Sequence, residues 1–344
     1  MRFVIDNEIP FIKGVFEPYA EVQYIEGADI TRADIKNADA LVIRTRTRCD
    51  AKMLRGTRVK MIATTTVGVN NIDMAYCSRH GIHVQNASGT ISGAVMNYVF
   101  SALYGTASRK SIPLTGASFG ILGVGNVGSR VEQSARMLGF KVLRYDPWRA
   151  ESEGPEDFCH LDDLLAEADV ISLHLPVNDS TRGIANADFF AKMKPGAFFI
   201  NTSKGELVDE LALIEAAPKL GPIVIDTWCN EPDINRDLMQ VADIATPHIS
   251  GYSYQGKLLA TRSAVRAIAR FYGLSELYDF FPVGDVAVRD AVRLDLRGKT
   301  QGEITSVFQY NYPIFTDDFM FRMNPDSFNE LRVKYRYRRE FYIE

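Results

Sequence analysis

Nowhere among the 344 residues does an apolar run reach the length needed to cross a bilayer, so no transmembrane helix is expected. The first residues, MRFVIDNEIP, lack a long apolar core followed by a cleavage site, and a cytoplasmic location is expected. Cysteine is scarce. Cys49, Cys77, Cys159 and Cys229 are far apart with no C-x-x-C pair, which argues against a disulfide framework and a zinc ribbon. Histidine is scarce as well. His80 and His83 in RHGIHV read as a turn at Gly81 entering a short strand, because the further ligand that zinc requires is not nearby, and no metal is expected. Excess charge of one sign is also missing: a formal net charge of -4 argues against a general nucleic-acid binder. No internal repeat or low-complexity tract is evident.

What remains has the composition of a globular protein, 46% hydrophobic and 24% charged, in a chain long enough for two or three domains. In the first 90 residues, short apolar runs (Phe3-Val4-Ile5, Val22 to Ile25, Ala40 to Ile43, Met61-Ile62-Ala63, Ile82-His83-Val84) alternate with polar segments of helical length. That is the rhythm of a parallel sheet with crossover helices. From Ile91 to about Tyr104 small and apolar residues dominate, as in a buried connecting helix. The rhythm then resumes, with strands expected at 119–124, 141–145, 169–173, 197–201, 222–226 and 243–246 and helices at 127–138 and 209–217, the pattern of a doubly wound nucleotide-binding sheet. Residues 252–273 read as one long helix ended by Gly273. Beyond Pro282 come a possible strand, VRLDLRG, a helix-like QGEITSVFQY, and a basic aromatic stretch, FNELRVKYRYRREFYIE. The last reads as an amphipathic helix that packs in an oligomer and shows its arginines to water.

The stretch FGILGVGNVG carries the cofactor signal. It runs from an expected strand into G-x-G-x-x-G at Gly123, Gly125 and Gly128, then into an expected helix. There Gly123 permits the tight turn, Gly125 lets the backbone approach a pyrophosphate, and Gly128 lets helix and strand pack closely. The next strand delivers Asp146, 18 positions after Gly128, where a carboxylate binds ribose hydroxyls and repels a 2′-phosphate. NAD is therefore expected over NADP, with Arg149 close enough to bear on that choice. After later strands come Asp226 in IVIDTW, Glu231 in NEPDIN and His248 in ATPHISGY, which could gather at one sheet edge. A histidine can remove the hydroxyl proton while a hydride leaves the same carbon, and Glu231 could hold its imidazole.

In order and spacing, GVGNVG with Asp146, INTSKGELVD, DTWCNEP and PHISGY resemble the NAD-dependent D-isomer-specific 2-hydroxyacid dehydrogenases, over residues 1 to about 275. The resemblance implies an α/β protein. A Rossmann-type doubly wound parallel sheet would occupy 91–251. A flavodoxin-like α/β substrate domain would occupy 1–90 with 252–284 returning to it, and a small C-terminal α+β dimerisation region 285–344. It implies oxidation of a small phosphorylated D-2-hydroxy acid by a homodimer. His248 would be the base, with Glu231 its partner, and Asp226 would contact the nicotinamide side. The cofactor would also meet Asn126, Val127, Leu175, Thr202, Ser203 and Gly251, and the substrate Thr45, Thr66 and Tyr252.

One position departs from the pattern. Where the family motif has an arginine that holds the substrate carboxylate, this sequence has Lys204. Lysine keeps the charge but loses the planar fork. Two readings stay open: Lys204 does the same work as a point charge, or the site is impaired or retuned. Arg44, Arg46 and Arg48 alternate in IRTRTRC, so on a continuing strand Arg44 and Arg46 could meet a phosphate beside Thr45; a solvated strand end is the alternative. Two further functions compete: a general D-2-hydroxyacid dehydrogenase (glycerate, lactate or phosphoglycerate type), and an NAD-sensing interaction protein that uses the same fold.

Overall fold

A computed structural model describes residues 1–285 and 289–344. Residues 286–288 of the expected 285–344 region lie outside the described residues. The chain divides into two compact units, Met1–Ile91 with Ser253–Asp290, and Ser92–Tyr252 with Ala291–Glu344.

In the first unit five parallel strands, β1 (Arg2–Asp6), β2 (Glu21–Ile25), β3 (Ala40–Ile43), β4 (Met61–Thr64) and β5 (His83–Gln85), pair in the order β2-β1-β3-β4-β5. This is the flavodoxin-like order. β3 and β4 are buried throughout, as strands covered on both faces must be, and so they read as continuous apolar runs. The helix Tyr254–Tyr272 returns to this unit. Ser253 caps its start by accepting from the Gly256 amide, and Gly273 ends it in the left-handed conformation at φ +72°. Its Ala264, Val265, Ile268 and Ala269 lie on one face and pack with Phe3, Ile5, Val42, Met61 and Ala63.

The second unit contains six parallel strands, β6 (Ser118–Leu122), β7 (Lys141–Tyr145), β8 (Val170–Leu173), β9 (Phe198–Asn201), β10 (Ile223–Ile225) and β11 (Ile244–Ala245), in the order β11-β10-β9-β8-β6-β7. The order reverses beside β6, and all six carboxyl ends lie on one edge, which is where such sheets bind ligands. The helix Ser92–Arg109 is buried along nearly its whole length, which explains its lack of a polar stripe. Along it lies the helix Gln301–Asn311: Gln309 donates to the Ser101 carbonyl at 2.7 Å, and the rings of Tyr104 and Phe308 meet edge to face.

The aromatic tail differs from the expected single amphipathic helix. Helix covers Phe328–Val333 alone, residues 335–340 are not helical, and β13 (Phe341–Ile343) then pairs in parallel with β12 (Val292–Leu294). Arg338, expected to face water, is 9% exposed. A charge run predicts a solvated face only where no buried acceptors await it, and here several carbonyls do. The strand in IRTRTRC also stops early. β3 ends at Ile43 and Arg44 begins a turn, so alternation no longer places these arginines on one face.

Candidate functional site

The glycine loop leaves β6 with Gly123 at φ +89°, and a Cβ there would come 2.7 Å from the His174 carbonyl carbon. A Cβ on Gly128 would lie 1.9 Å from the Gly123 oxygen, so only glycine lets this helix pack so close to the strand. Gly125 is different: nothing lies within 4 Å of where its Cβ would be. It caps the 12-residue helix Asn126–Met137, whose amino-terminal end favours an anion such as a pyrophosphate in that open space. Asp146 ends β7 and ties the loop down, accepting from the Val124 amide at 2.8 Å and the Arg149 amide at 3.1 Å. Arg149 donates to the Val124 carbonyl at 2.8 Å and to both oxygens of Glu153 at 2.6 Å. The Glu153 hydrogen bond is the largest of the effects that raise the Arg149 pKa. This guanidinium is thus engaged within the protein, and a 2′-phosphate would have to compete for it. Asp146→Asn, which retains a capping oxygen but loses the charge, is expected to reduce the NAD over NADP affinity ratio roughly tenfold, read from titrations with both cofactors.

The later strand ends contribute the rest. Leu175, buried after β8, accepts from the Ser203 hydroxyl at 2.6 Å through its carbonyl. Thr202 is buried, and its hydroxyl has no partner among the described residues. Lys204 is half-buried and precedes the short turn Gly205–Leu207. Its carbonyl accepts from Asn201 at 3.0 Å, and among the described residues no carboxylate forms an ion pair with its ammonium. A Cβ on Gly205 would fall 2.0 Å from the Trp228 carbonyl carbon. The lysine loop and the Asp226–Glu231 loop are therefore packed backbone to backbone. Cys229 sits in that contact; burial, and then the charge of Glu210, push its thiol up to about 12, so it is a packing group rather than a nucleophile.

Asp226 is fully buried and accepts from the Thr246 hydroxyl at 2.7 Å, the Ile249 amide at 2.8 Å and the Ser250 amide at 2.9 Å. These bonds clamp the loop after β11. Trp228 adds a bond from its indole to the Thr246 carbonyl at 2.9 Å, and Tyr98 adds one to the Thr246 hydroxyl at 2.6 Å. Between the clamped residues stands His248 at φ +55°, a left-handed conformation that a non-glycine residue adopts at some cost. Its Nδ1 lies 2.7 Å and 2.9 Å from the two Glu231 oxygens. Glu231 also accepts from the Trp228 amide at 3.1 Å. Burial would raise the Glu231 pKa, but the hydrogen bond and charge of His248 and the Trp228 amide outweigh it, holding the carboxyl below its ordinary value. An ionised Glu231 accepts a hydrogen bond from Nδ1–H, which leaves Nε2 as the basic nitrogen.

A model described as D-isomer specific 2-hydroxyacid dehydrogenase, NAD binding domain, matches residues 97–250. A relative named erythronate-4-phosphate dehydrogenase, from Bacteroides thetaiotaomicron, is 39% identical over 99% of this chain and 97% of its own. The chain belongs to the D-isomer-specific 2-hydroxyacid dehydrogenase family. A Bacteroides fragilis protein of the same name is 42% identical over 82% of this chain and 83% of its own. Among solved structures, the NAD+-bound 3-phosphoglycerate dehydrogenase of Entamoeba histolytica is similar with a TM-score of 0.68 and 27% identity, over 83% of this chain and 99% of that one. As a member of this family the chain is an NAD-dependent dehydrogenase.

The residues that the family resemblance assigned to substrate in the first unit fall at the carboxyl ends of β3 and β4. Thr45 is exposed. Thr66 bonds the Thr64 hydroxyl at 2.7 Å and the Gly68 carbonyl at 3.1 Å. Arg44 and Arg46 are not free cations. Arg44 donates to Asp6 at 2.8 Å and pairs with Glu8, while Arg46 lies 3.5 Å from Glu8 and 3.3 Å from Glu26. These carboxylates are distant in sequence from the arginines, and no local motif points to them. Nor does one point to Thr227, whose buried hydroxyl also lacks a partner among the described residues, or to Asn201, which braces the Lys204 loop. Gly251 and Tyr252 follow the histidine loop directly, and the rings of Tyr335 and Tyr337 stand 5.9 Å and 6.2 Å from that of Tyr252.

Proposed function

We propose that this dehydrogenase oxidises 4-phospho-D-erythronate to (R)-3-hydroxy-2-oxo-4-phosphooxybutanoate, a step in pyridoxal 5′-phosphate synthesis. The observation that carries the chemistry is the 2.7 Å bond between His248 and Glu231. The substrate is taken from the relatives' shared name and from their near full-length match. Bound NAD would supply the acceptor for the hydride that leaves the substrate's second carbon. His248 Nε2 takes the proton from the hydroxyl on that carbon, and Glu231 stabilises the imidazolium that results. Lys204 offers an unpaired ammonium to the substrate carboxylate. Gly123, Gly125, Asn126, Val127 and Gly128 form the cradle for the pyrophosphate, and Asp146 the acceptor for the adenosine ribose. Leu175, Thr202, Ser203 and Gly251 complete the cofactor wall. Asp226 contacts the nicotinamide side and clamps the loop after β11, with three donors already on its carboxylate. Thr45, Thr66 and Tyr252 contact substrate. Arg44 and Arg46 meet the phosphate only by sharing with Asp6 and Glu8, so their contribution is smaller than the alternation in sequence suggests.

The protein works as a cytoplasmic homodimer in this reading. Support comes from Tyr310, Phe319, Met320 and Met323 on neighbouring helices of the C-terminal segment, which expose apolar surface, Tyr310 to 88%. Among the described residues no helix is long and apolar enough to cross a membrane.

Turnover of 4-phospho-D-erythronate, D-glycerate, D-lactate and 3-phosphoglycerate by the wild type and by Lys204→Arg tests the reading. The phosphorylated four-carbon acid is expected to be preferred, and the arginine variant to lower its KM about three- to tenfold by restoring the fork. Turnover by the variant alone would mark the natural protein as catalytically impaired and favour NAD sensing. Preference for another acid would keep the chemistry and discard the substrate.

A further inference from the structure

The residues flanking the general base are held from two sides. Asp226 binds the amides of Ile249 and Ser250. Their carbonyls are bound by Arg338, which lies 90 positions beyond His248. Its Nη1 donates to the Ile249 carbonyl at 3.1 Å and its Nη2 to the Ser250 carbonyl, with a further bond to Ala94 at 3.1 Å in the buried helix Ser92–Arg109. The guanidinium is itself fixed. Tyr335 accepts from it at 3.1 Å and donates to Asp317 at 2.9 Å; Tyr312 donates to the same carboxylate at 2.8 Å and places its ring 4.1 Å from the guanidinium carbon. Tyr335 and Tyr337 also flank Tyr252. A buried cation is costly unless it is well bonded. A neutral core could join the C-terminal segment to the nucleotide-binding sheet at less cost, so the charge at this point calls for a local reason.

We propose that Arg338 is a positioning residue for catalysis: by gripping the carbonyls of Ile249 and Ser250 against the pull of Asp226 on their amides, it holds His248 in its left-handed conformation with Nδ1 on Glu231 and Nε2 toward substrate. The C-terminal segment thereby becomes part of the acid/base apparatus as well as a structural appendage. A guanidinium suits this work because its forked donors reach three carbonyls at once, whereas an ammonium cannot match that planar spread.

The proposal rests on the assignment of His248 as the base, so its test has a readout that needs no turnover. In the full-length protein with NAD, the Nδ1 proton of His248 bound to Glu231 is expected to give a downfield proton resonance in NMR, assigned by its loss in His248→Gln. In Arg338→Lys and Arg338→Met this resonance is expected to shift or broaden, and kcat for the hydroxy acid to fall about 10- to 100-fold with KM changed much less, as small misplacements of catalytic groups do. Arg338→Lys is expected to recover part of what Arg338→Met loses. If removing the cation prevents folding, Tyr335→Phe decides: it keeps the charge but removes one of the groups that fix the guanidinium, and is expected to move the resonance in the same sense with a smaller fall in kcat. An unchanged resonance and kcat in folded variants would overturn the proposal. So would losses of kcat and NAD affinity in proportion to lost thermal stability, with the resonance of the folded fraction unmoved. If the wild type shows the resonance but oxidises no hydroxy acid, the substrate assignment fails and the positioning claim is judged on the resonance.

Discussion

His248→Gln is expected to lower kcat/KM by roughly two to four orders of magnitude while leaving the affinity for NAD nearly unchanged. Glutamine has a polar side chain of similar length, and can still donate to Glu231, but it has no basic nitrogen for the hydroxyl proton. The proposed cofactor cradle lies on other strand ends, at Gly125 and Asp146, and makes no bond to the imidazole. The measurement is steady-state kinetics beside a fluorescence titration with NADH. A variant that kept wild-type turnover would remove His248 from the mechanism, and one that lost NAD affinity in parallel would indicate collapse of the loop. Because Glu231 is held below its ordinary pKa, it remains ionised near neutral pH, which is the state that favours an imidazolium next to it.

Gly205→Ala carries the second large effect. The added methyl would sit 2.0 Å from the Trp228 carbonyl carbon and 2.2 Å from its oxygen, and both are backbone atoms that cannot rotate away. Either the lysine loop or the Trp228–Cys229 segment must move. A cost of about 3 kcal/mol follows for forced overpacking at a closed contact. The same displacement shifts the Lys204 loop and, through the indole bond to Thr246, disturbs the histidine loop. Chemical denaturation is expected to show the lost stability, and kinetics a fall in kcat beyond what the unfolded fraction explains. Full activity with unaltered stability would mean that the two loops are not packed as described.

Much of this was legible in the sequence because it is local. Strands β6 and β8 to β11 announce themselves as short apolar runs since both of their faces are buried. The roles of Gly123 and Gly128 follow from a strand turning directly into a helix. The order of INTSKGELVD, DTWCNEP and PHISGY placed Lys204, Glu231 and His248 after successive strands, and parallel strands bring their carboxyl ends to one edge. Sequence alone therefore determined the α/β architecture, the NAD-binding domain and the acid/base candidates. The tertiary structure decided matters that depend on partners far along the chain. Arg44 and Arg46 alternate as if to meet a phosphate, but Asp6, Glu8 and Glu26 neutralise them. Asp226, which the family resemblance assigns to the nicotinamide side, also bonds Thr246, Ile249 and Ser250 from a buried position. The basic tail read as a solvated helix, and Arg338 instead runs inward to carbonyls beside His248. Periodicity records which face of an element is apolar. It cannot report which buried oxygens await a cation, because those are set only when the chain folds.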